Sequence, residues 1–428
     1  MKRLILGFIV GTITLVIAGL APVTPAYALL CGVSMNGTCF AIATGNFNAG
    51  AVWSNTDGGA TCSATCTTGP TAGDTVVFDS LSGAITVTIT AAASIANLDA
   101  SGGSGGSGSP FTGTLAHNNA QTLTVTGTTF KFSAGMTYNP ASATAAILFT
   151  GTGTLTFTSA GKSLGNFTVN GSGGSVVPAD AFTVGTSATL TLTVGTFDAS
   201  VNNVAVSTGA FSSSSNTNVR TLTCSNSATW TLTASLNLAT IWDFTQTTNL
   251  TYTNPCTVNI NITETAAAAF QSGGKTFNVT YTSNNGTSRV DIFGSPTFTT
   301  FAYVNNAPGW LTINAGTTLI ITNAFTATAT AAKPLYFASD SAAGAIVTLQ
   351  VPSGCTFNWA IVQNVTAKNN QITANNSLSL GGNAGATGGS WQFNAPGGAS
   401  IIGGYLLQRD LDPASNDNRP AWSAGDAA

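Results

Sequence analysis

The chain has 428 residues, of which only 6% are charged; 11 Lys and Arg stand against 14 Asp and Glu, and His117 is the one histidine. Soluble domains ordinarily carry about 25% charged residues, so acid–base and metal chemistry have few side chains to draw on. The slight acidic excess argues against a nucleic-acid partner, which needs a basic surface.

Residues 1–28 read as a secretory signal peptide. Lys2 and Arg3 supply the positive start, Leu4 to Leu20 is uncharged and mostly apolar, and Ala26-Tyr27-Ala28 gives the small-x-small cleavage pattern. No later segment holds about 18 uninterrupted apolar residues, so the membrane is engaged only through this signal. The predicted location is secreted or at the cell surface.

Residues 29–100 form a Cys-containing N-terminal β segment. An exported chain can keep disulfides, and Cys31, Cys39, Cys62 and Cys66 are close enough in sequence to staple this segment in two pairs, as Cys31–Cys39 with Cys62–Cys66 or crossed. The spacing lacks the two-residue knuckles of zinc ribbons and has no nearby His, so no metal and no cofactor is expected. Cys224 and Cys256 can meet if they lie on neighbouring coils, which leaves Cys355 as a buried, inert thiol.

Residues 101–109, Ser101 to Ser109, are pure Gly and Ser and read as a flexible loop bulging from one coil. From 110 to 395 the pattern has period two. Leu123-Thr124-Val125, Leu155-Thr156-Phe157, Leu190-Thr191-Leu192-Thr193-Val194, Trp230-Thr231-Leu232 and Val258-Asn259-Ile260 are short strands separated by Gly, Asn and Ser. No helical period with caps stands against them. Gly-x-Phe recurs at Gly45, Gly165, Gly195 and Gly209. A Gly to turn a corner and an aromatic to fill a coil is the unit a solenoid needs. The predicted fold is therefore all-β, a parallel β-solenoid with a disulfide-stapled N-terminal segment. Residues 396–428 collect the charge that the rest avoids, around Arg409-Asp410-Leu411-Asp412 and Asp417-Asn418-Arg419, and read as a flexible tail.

Several runs carry a resemblance: Thr193-Val194-Gly195-Thr196-Phe197-Asp198, Asn216-Thr217-Asn218-Val219-Arg220-Thr221-Leu222, Ile241-Trp242-Asp243-Phe244, Gly273-Gly274-Lys275-Thr276-Phe277 and Gly388-Gly389-Ser390-Trp391-Gln392-Phe393. Over roughly residues 70–395 the chain resembles Thr/Gly-rich β-repeat surface proteins of bacteria and of phage or prophage gene sets. The resemblance implies a solenoid-like surface or virion-associated protein, usually without an activity.

The expected function is an exported structural or adhesive solenoid, not an enzyme, whose neutral Thr/Ser/Asn flanks contact glycans, cell-surface polymers or other copies. The alternatives are a phage or prophage appendage component and a polysaccharide-degrading β-helix enzyme. An enzyme of that kind needs two converging carboxylates, and Asp198 with Asp243, each following an aromatic residue, is the pair to test. Trp230, Trp242, Trp310, Trp359 and Trp391 are candidates for stacking on sugar rings or for filling the core. His117 is followed by two Asn and has no evident partner for catalysis.

Overall fold

The computed structural model describes residues 31–394, apart from 33–36, 61–67, 104, 234–239, 263–266, 287–288, 328, 340–346 and 381. The signal peptide, Cys62, Cys66 and the tail lie outside the described residues. No helix among the described residues is long and apolar enough to cross a membrane.

The chain winds as a stack of parallel strands on three sides. The first side runs from Thr75–Val77 through Asn97–Asp99, Thr129–Lys131 and Thr154–Thr158 to Leu250–Thr253. A second side starts at Ala93–Ile95 and Thr122–Val125 and ends at Leu378–Ser379. The third begins with Gly45–Asn46, Thr86–Ile89, Thr114–His117 and Thr137–Pro140, then continues from Ser163–Leu164 to Ala384–Ala386. After Leu250–Thr253 the first side stops, and strands of the third side lengthen to 8, 9 and 10 residues in Thr276–Ser283, Thr297–Asn305 and Thr318–Ala327. Strands Thr356–Asn358, Gln371–Asn375 and Ser390–Asn394 form a further short sheet at the C-terminal end.

Alternation explains the stack. Thr and Ser point outward and Leu, Val, Ile and Phe point inward, giving exposure that alternates along strands such as Thr122–Val125, Thr154–Thr158 and Thr257–Ile262. One inward column on the second side reads Leu123, Ile147, Phe167, Leu190, Phe211, Trp242, Phe270 and Ile292, each paired to the next. Aromatic rings continue along the axis: Phe157 meets Phe182 at 5.2 Å, Phe182 meets Phe197 at 5.4 Å, Phe197 meets Trp230 at 5.8 Å and Trp230 meets Trp242 at 5.6 Å. Such edge-to-face contacts add to the area that the rings bury.

At the N-terminal end Thr38–Ala41 pairs in parallel with Thr75–Val77 and antiparallel with Trp53–Ser54. That reversal occupies the first edge of the stack, where an unpaired strand would invite association. Cys31 is bonded to Cys39 with a Cα separation of 4.9 Å. Cys224 is bonded to Cys256, with Cα atoms 5.2 Å apart, across one coil step, and Cys355 is free and buried. Burial pushes the Cys355 thiol up to about 12, which keeps it protonated and unreactive.

The Gly/Ser segment leaves the first side after Asn97–Asp99 and returns before Thr114–His117. Ser107 donates its N–H to Asp79 at 2.8 Å, its hydroxyl lies 2.8 Å from that of Ser80, and Ser80 donates to the Ser109 carbonyl. Strand pairing continues past it, from Asn97–Asp99 directly to Thr129–Lys131.

Candidate functional surface

The outward positions form columns of hydroxyl and amide groups. On the first side, Thr154, Ser175, Thr196, Thr221 and Thr251 are paired in succession. Beside them Asp198, Thr223 and Thr253 align, and Thr253 donates its hydroxyl to that of Thr223 at 3.1 Å. On the third side the column is Ser163, Thr183, Ser207, Thr231, Asn259 and Thr280. Neighbouring strands in a sheet lie about 4.8 Å apart, and alternate residues along a strand about 6.7 Å apart. These columns therefore make a two-dimensional lattice of small hydrogen-bonding groups, all of them neutral except Asp198.

Amides extend it. Asn306 donates to the side-chain carbonyl of Asn284 at 2.6 Å, and Asn284 donates to that of Asn261. Asn394 donates to Asn375 at 2.7 Å, and Thr282 donates to Asn259 at 3.2 Å. The corners use Asn differently: Asn203, Asn249, Asn254 and Asn364 have φ of 49–57°, a left-handed turn conformation that Asn tolerates better than most side chains.

Most of the titratable groups serve the stack. Asp74 is buried and accepts from the N–H groups of Gly32, Gly37 and Thr71 and from the Thr71 hydroxyl, at 3.1, 2.9, 2.7 and 2.8 Å. Arg220 is buried in a corner. Its guanidinium donates to the carbonyls of Asn218, Ser213, Gln246 and Thr248 and to the Ser213 hydroxyl. Desolvation lowers its affinity for its proton and the charge of Asp243 offsets part of that. His117 is buried between the Tyr138 hydroxyl at 2.9 Å and the Gln121 carbonyl at 3.0 Å. Burial pulls the His117 pKa below its ordinary value, against the Gln121 carbonyl, which raises it.

Asp198 and Asp243 occupy different sides. Asp198 stacks on Thr223 of the first side and accepts from Ser200, whereas Asp243 lies between Ser212 and Gln271 on the second and accepts from Thr245. The structure thus gives each an Asx-type turn role instead of bringing the two together. One carboxyl contact escapes the sequence: Asp57 and Asp79 share a side-chain hydrogen bond, and desolvation, then that bond and the charge of Asp79, hold Asp57 above the usual carboxylate range. Their spacing of about one coil is the signal that would have found them, once coil length is known. Among the described residues no group of three or more His, Cys, Asp or Glu is placed to hold a metal ion.

The tryptophans divide. Trp230 and Trp242 lie wholly in the core. Trp359 and Trp391 are half-buried, and the Trp391 ring N–H donates to the Val365 carbonyl at 2.9 Å. Trp310 alone among these sits on the outward side of a strand, stacked on Tyr336 with ring centroids 4.0 Å apart.

Comparison with protein-family profiles, with curated proteins and with solved structures returns no match.

Proposed function

We propose that this chain is an exported, non-enzymatic structural or adhesive rod at or beyond the cell surface, whose hydroxyl and amide columns contact glycans or other cell-surface polymers, or further copies of itself. Membership of the Thr/Gly-rich β-repeat surface proteins is part of the same proposal. The observation that carries it is the register of the outward columns. Small neutral donors and acceptors repeat at one spacing over several coils, a pattern suited to a ligand that also repeats. A neutral glycan offers many hydroxyls and no charge, so a surface with few charges loses little desolvation energy in meeting it. The bonds Cys31–Cys39 and Cys224–Cys256 fit an oxidising compartment.

The test is co-sedimentation of the mature protein with insoluble cellulose, chitin and peptidoglycan, with reducing ends assayed in the same tubes. Retention on at least one polymer without new reducing ends is expected; release of reducing ends would favour the polysaccharide-degrading alternative. N-terminal sequencing of exported protein should begin at Leu29; a start at Met1 in membrane fractions would contradict export by cleavage.

A further inference from the structure

One corner at the C-terminal end of the stack departs from the rest. The strands Thr356–Asn358, Gln371–Asn375 and Ser390–Asn394 pair in parallel there, with Phe357, Ile372 and Ala374 turned to the interior. Outward, Asn358, Asn375 and Asn394 form a column, and the Asn394 amide donates to the Asn375 side-chain carbonyl at 2.7 Å. Asn358 is exposed, and its side chain makes no hydrogen bond among the described residues. Trp359 follows at the corner with a φ of 54°. Among the described residues, every other left-handed position outside glycine holds Asn, Ala, Ser or Thr. The next coil puts Asn376 at the same corner, with a φ of 49°, directly after the paired Asn375. A bulky side chain in this conformation costs free energy that Asn largely avoids.

We infer that Trp359 is a stacking platform for a pyranose ring and that the Asn358–Asn375–Asn394 column hydrogen-bonds the hydroxyls of the same ligand, a neutral β-1,4-linked glycan. The class of ligand rests on the glycan contact proposed above; the site itself does not. Backbone strain is the first support, because it persists only where the surroundings fix it and gathers where a side chain must be presented. Here the Trp359 N–H donates to the Asn375 carbonyl at 3.0 Å, and the Trp359 carbonyl accepts from the Leu335 N–H at 3.1 Å. Clamped between two coils, the ring loses little freedom on binding. Its surroundings are the second support. Trp359 packs on the interior but is only half-buried. Among the described residues its ring touches no other aromatic ring and its N–H makes no hydrogen bond. Trp391, by contrast, stacks on Phe393 and donates its N–H to the Val365 carbonyl. The interior thus uses the polar edge of Trp391 and leaves that of Trp359 unused. A ring with an apolar face and an open N–H suits a sugar, whose C–H face stacks while its hydroxyls point sideways. The third support is the amide column. Its groups repeat along the axis at about 4.8 Å, so a chain laid along the axis from Trp359 passes Asn375 and then Asn394. Beside that column stand Thr356, Thr373 and Gln392, also uncharged. A β-1,4-linked pyranose with equatorial hydroxyls offers C–H faces above and below and hydroxyls around its rim, which matches this division into platform and column.

The test is calorimetric titration of the mature protein with cellohexaose and, separately, with chitohexaose, beside the variants Trp359→Asn and Asn358→Ala. Trp359→Asn gives this corner the residue type that the next coil uses at Asn376, so the urea midpoint should hold or rise while the ring is lost. The parent should bind at least one hexasaccharide. Its affinity should fall about tenfold or more in Trp359→Asn and several-fold in Asn358→Ala, and should be unchanged by Thr196→Glu with Thr221→Glu on the first side. Undiminished binding by Trp359→Asn would overturn the inference. A lowered urea midpoint in Trp359→Asn would give the ring a packing role instead and overturn it too. A parent that binds neither hexasaccharide yet is retained on insoluble cellulose or chitin would overturn this site alone and leave the proposed function standing.

Discussion

Trp242 shows how much a single side chain holds in this stack. It is wholly buried and touches Phe211, Trp230, Phe244, Phe270 and Phe277, so it joins successive coils through the axis. Trp242→Ala should cost about 3–5 kcal/mol. The ring N–H of Trp242 reaches no acceptor among the described residues, so Trp242→Phe removes a buried polar group along with part of the area and should cost under about 1.5 kcal/mol. Urea denaturation of both variants checks the order; equal losses would contradict an interior held by ring packing. His117 supplies the pH dependence. Its folded-state pKa lies below the ordinary 6.5 because it is buried. As pH falls through about 6.5 the unfolded chain takes up a proton that the folded chain refuses, so stability is full above that value and declines below it. The urea midpoint should drop between about pH 7 and pH 5, and His117→Gln should flatten that drop. Asp57 acts with the opposite sign: its raised pKa favours the folded state at low pH, and that contribution is lost as pH rises through the folded value. It is common to both proteins, so the difference between them isolates His117.

At the scale of the strand and its corner, close approach sets the constraints. A Cβ on Gly165 would overlap the Ala145 carbonyl oxygen of the coil below, which is why Gly precedes Asn166 and the buried Phe167 there. Gly165→Ala should destabilise by about 1–3 kcal/mol, read as a lowered midpoint in thermal or urea unfolding; no change would mean that the coils are not packed at this corner as described. The Gly-x-Phe triplets were legible as corner and filler because both roles are local: Phe47, Phe167, Phe197 and Phe211 are all wholly buried. The strands were legible too, since Leu123-Thr124-Val125 and Val258-Asn259-Ile260 show period two on their own. Coil length was not. Coil-to-coil hydrogen bonds join residues 20 apart, as at Ala160 and Asp180, and 32 apart, as at Asn249 and Thr217. With no fixed period, the stacking of Asn261, Asn284 and Asn306, the Asp57–Asp79 contact and the placing of Asp198 and Asp243 on separate sides depend on loop lengths that the residues do not announce. The strand Phe167–Pro178 also runs through Gly171-Ser172-Gly173-Gly174, a stretch that reads as a turn, because the strand bends across a corner with a shift in register.

Across the whole molecule, the interior fixes the columns outside it: in the Thr, Ser and Asn columns, inward Leu, Val and Phe in register set the outward groups in register beside them. Under the proposed function this outward lattice, and not an isolated pocket, makes the contact with a polymer. Thr196 and Thr221 are paired neighbours in the first-side column, whereas Leu81 and Val201 are exposed and lie outside the strands. Thr196→Glu with Thr221→Glu puts bulk and charge into the lattice, and Leu81→Glu with Val201→Glu adds the same charge away from these two positions. The decisive measurement is the dissociation constant of both variants and the parent protein on the insoluble polymer that the parent retains best. A loss of about tenfold or more, roughly 1.4 kcal/mol, for the threonine variant alone is the predicted result. Equal retention of all three proteins would contradict it.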